Sequence, residues 1–417
     1  MCRSKALIPP LFCLILAYSS VYGQYRWTDL KGPYWASGID VACGTMDNAT
    51  PDPNHLWYRY LVGSNGNEIR PFYWNANSTK WLPADNPLPA ANKIISYNGS
   101  RYGDYAVCSA YGDDIYLSED GGATWGPLHF GDYFDTNHFS AIEVLYHTDH
   151  PSDMIFVGTE AYRDQATTYI YHNLGGQLRW DPLGQADGND PMFGLPVNDI
   201  ECDHYGRLFA GTAQGIFMHD PGSQYANPWT LVNFGGDNIP ALENVLGPES
   251  EQIASVLHND SYSLWLSPNN DHWSDPDEIL LDSQHFDKEV RDLAAVKWDS
   301  PISMVSCYAA TSEGLYLIYF DDSSPSTADA AIDIKTIPTA YGFYPMQYDK
   351  DVVAVDFHYD SVQKIVTTLA ATTHSVYEIT EVRDIKDGQL ISLNVKEAVA
   401  GTYFVHAADS ARAYQGR

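Results

Sequence analysis

Short runs of apolar residues, many of them β-branched or aromatic, recur along the chain between clusters of Gly, Asn, Asp and Pro. Runs of this length and punctuation predict strands. No segment carries the three-to-four-residue apolar spacing of an amphipathic helix. Residues 197–202, 207–213, 215–219 and 229–232 read as four consecutive strands separated by turn residues. The same order recurs at 140–146, 154–159, 168–172 and 179–183, and at 93–97, 104–110, 114–118 and 124–128.

A tryptophan phrase closes most of these units: Trp27, Trp81, Trp125, Trp180, Trp229 and, more loosely, Trp273. Its intervals of about 44–55 residues lie close to the roughly 40–50 residues of a four-stranded propeller blade. The pattern predicts an all-β chain, a β-propeller of seven four-stranded blades, with six or eight as alternatives. The units fall at 38–83, 92–128, 139–183, 196–232, 252–281, 290–338 and 351–395. Second strands end in small residues: Val157-Gly158-Thr159, Ala210-Gly211-Thr212, Ala309-Ala310-Thr311 and Ala370-Ala371-Thr372. Backbones crowd near a propeller hub, where larger side chains would clash. The segment 25–30 resembles an outermost strand, so either it or the C-terminal strands are expected to complete the last blade. Closing a ring leaves only short, protected sheet edges.

Residues 118–125 read Ser-Glu-Asp-Gly-Gly-Ala-Thr-Trp. This resembles the Asp-box, or BNR repeat, at every fixed position: Ser118, Asp120, Gly122, Thr124 and Trp125. The segment 267–273 resembles the same box with one residue fewer. The resemblance implies an Asp-box β-propeller, a group that includes sialidases, xyloglucan-cleaving glycoside hydrolases and sortilin-type receptors. It also implies a structural turn between third and fourth strands, on the side away from the usual active site. Its chemistry fits a turn: Asp and Ser oxygens accept turn amides, and glycine permits positive φ.

The remaining composition narrows the function classes. A formal net charge of −31 lacks the basic footprint of a nucleic-acid or anionic-membrane binder. The acids are scattered rather than gathered in a tail. Residues 1–23 read as a signal peptide: Arg3 and Lys5, then an apolar run too short to span a bilayer, then Val21 and Gly23 before Gln24. The mature chain, 24–417, is expected to be one secreted or periplasmic domain with no membrane insertion. Cys43, Cys108, Cys202 and Cys307 are far apart with no CxxC pair, which excludes zinc-finger spacing. As buried thiols or as bridges, they read equally well.

No nucleophile elbow, metalloprotease helix or phosphate-binding loop occurs in a suitable context. A sialidase would need an arginine triad. The nearest phrase, Ile69-Arg70-Pro71, departs from the Arg-Ile-Pro order of that family. Xyloglucanases resemble two propellers in tandem, and this chain has room for one. No cofactor is expected. The loop from Asp187 to Asp190 offers hard oxygen ligands of the kind calcium takes, without the distal bidentate Glu of a full calcium loop.

In this architecture the loops from one unit to the next gather on the face opposite the Asp-box turn. The segments 130–138, 184–196, 233–251, 282–289 and 338–350 are expected to be such loops. They concentrate acids and aromatics: Asp132, Tyr133 and Asp135; Asp187, Asp190 and Phe193; Tyr341, Phe343 and Tyr344. Exposed aromatic rings suit sugars or peptides. The favoured expectation is a non-catalytic protein that binds a glycan or protein ligand on this face. The alternative is a glycoside hydrolase with a carboxylate pair there, separated by roughly 5–9.5 Å.

Overall fold

The computed structural model describes the strands between residues 37 and 415 and many of the turns that join them. Residues 1–36, the connections 45–57, 129–138, 322–331 and 334–351, and several shorter ones lie outside the described residues. The expected leader and the segment 25–30 are therefore outside it. Only the backbone is described for the first six strands.

The first sheet holds β1 (Ser37–Gly44), β2 (Tyr58–Ser64), β3 (Ile69–Asn75) and β4 (Lys80–Pro83). The second holds β5 (Ala91–Gly99), β6 (Gly103–Ala110), β7 (Ile115–Ser118) and β8 (Gly126–Pro127). The third holds β9 (Phe139–Leu145), β10 (Met154–Thr159), β11 (Thr168–Leu174) and β12 (Gln177–Pro182). The fourth holds β13 (Val197–Cys202), β14 (Leu208–Thr212), β15 (Gly215–His219) and β16 (Thr230–Asn233). The fifth holds β17 (Asn238–Val245), β18 (Glu251–His258), β19 (Ser261–Ser267) and β20 (Ile279–Leu281). The sixth holds β21 (Val290–Lys297), β22 (Met304–Thr311), β23 (Gly314–Asp321) and β24 (Ile332–Asp333). The seventh holds β25 (Val352–Asp360), β26 (Ile365–Thr372), β27 (Val376–Arg383) and β28 (Leu390–Glu397). A separate pair, β29 (Phe404–His406) and β30 (Ala413–Gln415), follows. Within each four-stranded sheet the strands pair antiparallel in chain order, and no helix occurs among the described residues.

The first strand of each sheet lies against the first strand of the next, and β25 lies against β1. The sheets therefore succeed one another around a closed circuit. The seventh sheet draws all four strands from the C-terminal part of the chain, which resolves how that sheet is completed. One expectation fails in the fifth unit. The segment 233–251, read as a loop, contains β17, an innermost strand paired with β18. Pro240 and two asparagines disguise it. Pro240 sits inside the register shift between Asn238 and Ala241, where a missing N–H leaves no ladder bond unmade.

Burial follows position in the sheet. β10 and β14 are buried along their whole length, whereas β16 is largely exposed. A strand covered on both faces must be apolar at every position, so second strands read as continuous runs. The core is a series of layers between consecutive sheets. One joins Phe156, Ile170 and Met192 of the third unit to Ile200, Leu208 and Trp229 of the fourth. Others join the fifth sheet to the sixth and the sixth to the seventh.

The small residues at the ends of second strands face the next sheet. A Cβ on Gly158 would lie 2.5 Å from Val197 Cγ1, and one on Gly211 would lie 3.0 Å from Ile239. The threonine that follows closes the turn. Thr212 Oγ1 donates to the Gly215 carbonyl at 2.9 Å and accepts the Gln214 N–H at 3.0 Å. Thr311 repeats both bonds, with Gly314 at 2.7 Å and Glu313 at 3.1 Å.

Candidate functional site

Each innermost strand carries a register shift near its start, and the residues just after it are Asp40, Lys93, Ala141, Asp199, Ala241, Asp292 and Ala354. Two positions further along stand Ala42, Ile95, Glu143, Glu201, Glu243, Ala294 and Asp356. Every innermost strand except β5 thus brings a carboxylate to one of two adjacent levels, and β5 brings Lys93 instead.

The carboxylates meet a definite need. An innermost strand pairs on one side only, and its other edge exposes backbone N–H groups. Asp199 Oδ1 accepts its neighbour Ile200 N–H at 3.0 Å, while Oδ2 accepts Leu242 N–H of β17 at 2.9 Å. Asp292 repeats this with Leu293 at 3.1 Å and Val355 of β25 at 2.8 Å. Glu243 Oε1 accepts Ala295 N–H of β21 at 3.2 Å. Glu201 Oε2 accepts Asn244 Nδ2 at 3.0 Å; Asn244 Oδ1 accepts Gln252 Nε2 at 2.6 Å; and Gln252 Oε1 accepts Trp273 Nε1 at 2.9 Å. That relay runs from the innermost edge of the fourth sheet to the tryptophan of the fifth unit. Asp199, Glu201, Glu243 and Asp292 thus each reach forward onto the next sheet.

Asp292→Ala should leave the Leu293 and Val355 amides without their acceptor and cost about 1–3 kcal/mol. Urea unfolding measures this, and a midpoint equal to the parent's would refute the bridging role.

These acids also crowd one another. Burial pushes Glu143 up to about 8, against the pull of the Val144 amide, with Asp199 and Asp356 adding to the rise. Burial raises Glu201 well above the usual carboxylate range, followed by the charges of Glu143, Glu243 and Asp199. Burial likewise raises Glu243, with Asp356, Asp292 and Asp199 contributing. Glu143 belongs to the third sheet and Asp356 to the seventh, so their coupling places both towards the middle of the circuit. All three glutamates are half-buried as residues. Cys202 and Cys307 are free thiols, and burial first, then Glu243, raises Cys307.

Of the loop-face residues read from the sequence, Asp190 and Phe193 are described. Asp190 is 5% exposed. Its Oδ1 accepts Met192 N–H at 2.9 Å, its Oδ2 accepts Trp229 N–H at 3.4 Å, and its carbonyl accepts Phe193 N–H at 3.0 Å. Gly184, at φ 85°, allows the fit: a Cβ there would lie 2.5 Å from Asp190 Oδ2 and 2.8 Å from Trp229. Asp190 therefore fastens its loop to the fourth sheet, and Phe193 is half-buried beside it. Asp132, Tyr133, Asp135, Asp187, Tyr341, Phe343 and Tyr344 lie outside the described residues.

Ser118 ends β7 fully buried, Trp125 is buried just before β8, and Thr124 is exposed. The segment 118–125 thus joins third and fourth strands, while Asp120 and Gly122 lie outside the described residues. The innermost-strand acids were not singled out from the sequence. Their signal is an acid followed by an apolar residue, as in Asp199-Ile200, Asp292-Leu293, Glu143-Val144 and Asp356-Phe357. It becomes visible once the first strands of all units are aligned on their register shifts.

No protein-family model matches the chain, and no curated protein matches it. Solved structures do. YCF48 from Cyanidioschyzon merolae superposes with a TM-score of 0.52 at 14% identity, over 83% of this chain and 95% of that one. YCF48 bound to D1 peptide gives a TM-score of 0.52 at 14% identity, over 87% and 99%. An ancestral GH74 enzyme gives a TM-score of 0.59 at 10% identity over 94% of this chain, which spans only 50% of that enzyme. At such identities the likeness is one of fold, and the circuit of four-stranded antiparallel sheets has β-propeller architecture.

Proposed function

We propose that this chain is an exported, seven-bladed, Asp-box-type propeller that binds a glycan or protein ligand without catalysis. The ligand surface is the loop face opposite the turn at 118–125. One observation carries the reading: Asp199, Glu243 and Asp292 of the innermost strands accept backbone amides of the following sheet. Carboxylates spent in this way hold blades together, whereas glycoside hydrolysis needs two carboxyl groups facing a substrate. YCF48, of similar length to this chain, has been seen with a D1 peptide, which makes a protein segment a reasonable class of ligand to test beside glycans.

The test combines a glycan and peptide array with an assay for released reducing sugar. The expected result is binding without release. Replacing Tyr341, Phe343 and Tyr344 together by Ala should weaken that binding about tenfold or more while leaving the melting temperature unchanged. Sugar release abolished by one carboxylate→amide change on the loop face would overturn the proposal and establish a hydrolase.

A further inference from the structure

We infer that Glu143, Glu201 and Glu243 form a proton-dependent clasp, which holds the third to sixth sheets together when protonated and loosens as they ionise. The inference rests first on placement. The three acids occupy the same level, two residues past the register shift, on consecutive innermost strands β9, β13 and β17. Two of them reach across a junction: Glu201 to Asn244 and Glu243 to the Ala295 amide. The other residues at this level are Ala42, Ile95, Ala294 and Asp356, so the level carries no counter-charge.

The surrounding elements supply little to offset the charge. β10 and β14 hold no titratable side chain. β6 carries Asp104, Tyr105 and Cys108, and β5 carries Tyr97 and, one level away from the glutamates, Lys93. β13 itself adds Asp199 and Cys202, and β22 adds Cys307. β15 adds His219, packed on Trp229. Among the described residues, Lys297 pairs with Glu251, Arg291 with Glu289, His258 with Asp237 and Arg207 with Asp203. β25 adds Asp356, His358, Tyr359 and Asp360. Among the described residues, three ionised glutamates here would face mainly other acids.

A protonated carboxyl still accepts an amide through its carbonyl oxygen, so the junction bonds survive protonation while the repulsion disappears. Burial raises all three glutamates, Glu143 to about 8. The folded chain therefore keeps protons that the unfolded chain, with glutamates near 4.5, has released. Between those values the folded state binds more protons, so stability falls as pH rises.

The experiment is thermal unfolding of the whole protein from about pH 5 to about pH 9, at low and high salt, with infrared spectroscopy near neutral pH. The expected result is a melting temperature that drops by about 5 °C or more with rising pH, a drop that high salt does not erase. Infrared spectra should show the carbonyl stretch of protonated carboxyl groups in the folded protein near neutral pH. Glu201→Gln and Glu243→Gln keep the amide acceptor and lose the charge, so each should flatten the profile. A flat or rising profile, a drop removed by salt, or no protonated-carboxyl band would overturn the inference. The salt and infrared measurements on the parent protein decide the matter even where a variant fails to fold.

Discussion

Gly158→Val should unfold at markedly lower denaturant than the parent, losing about 3 kcal/mol or more. The reason is a distance across a junction. Gly158 ends the second strand of the third sheet, and a Cβ there would lie 2.5 Å from Val197 Cγ1 and 2.8 Å from Val197 Cβ. Val197 is the first residue of β13, in the next sheet, so relief requires one whole sheet to shift against another. A β-branched side chain has no rotamer that avoids its own Cβ. Gly158→Ala should cost less, about 1–3 kcal/mol. Gly211→Ala should cost less again, because its nearest contact is 3.0 Å and a few tenths of an ångström suffice. Gly126→Ala meets nothing within 4 Å and should stay within about 0.5 kcal/mol. Pairing Gly158→Ala with Val197→Ala should recover part of the loss, as a coupled contact must. Equal costs at positions 158 and 126 would show that the sheets are not apposed in this way.

Trp273→Ala should cost about 3–5 kcal/mol, the range for deleting a large buried aromatic side chain. Trp273 is 2% exposed and packs in the layer between fourth and fifth sheets with Phe209, Ile239 and Leu242. Phe234 meets it edge-on at 5.6 Å between ring centroids. Its indole N–H also ends the relay through Gln252 and Asn244 to Glu201. Trp273→Phe keeps most of the apolar area but strands the buried Gln252 oxygen, a loss of about 1–3 kcal/mol. Trp229 supplies the contrast. It is as buried, but its indole N–H has no partner among the described residues. Trp229→Phe should therefore cost less than Trp273→Phe. The comparison is read from urea midpoints of the three variants. The reverse order for the two phenylalanine variants would refute the relay.

The two tryptophans show how far sequence reading reached. Their recurrence at near-even intervals marks the units because each closes a similar set of strands, and strand signals are local. Pro240 and Asn244 show where such signals mislead. β17 carries few β-branched residues and a proline, yet it folds as an innermost strand because packing on both faces and carboxylates from β13 support it. Asp190 shows a different gap. An acidic loop residue reads as exposed, but Gly184 and Trp229 draw its side chain inward, and only their meeting in space reveals that.

By itself the sequence determined the all-β character, the four-strand units and the small-small-Thr endings of second strands. These follow from residue volume, β-branching and turn chemistry acting over a few positions. Tertiary structure decided which acids gather at the innermost edges and that β25 meets β1. It also decided that acids far apart in the chain crowd one another and that some of them accept amides of the next sheet. The reason is geometric: a one-residue shift in register turns every later side chain to the opposite face of its strand. Which neighbour then stands across the junction depends on how the sheets are arranged around the circuit.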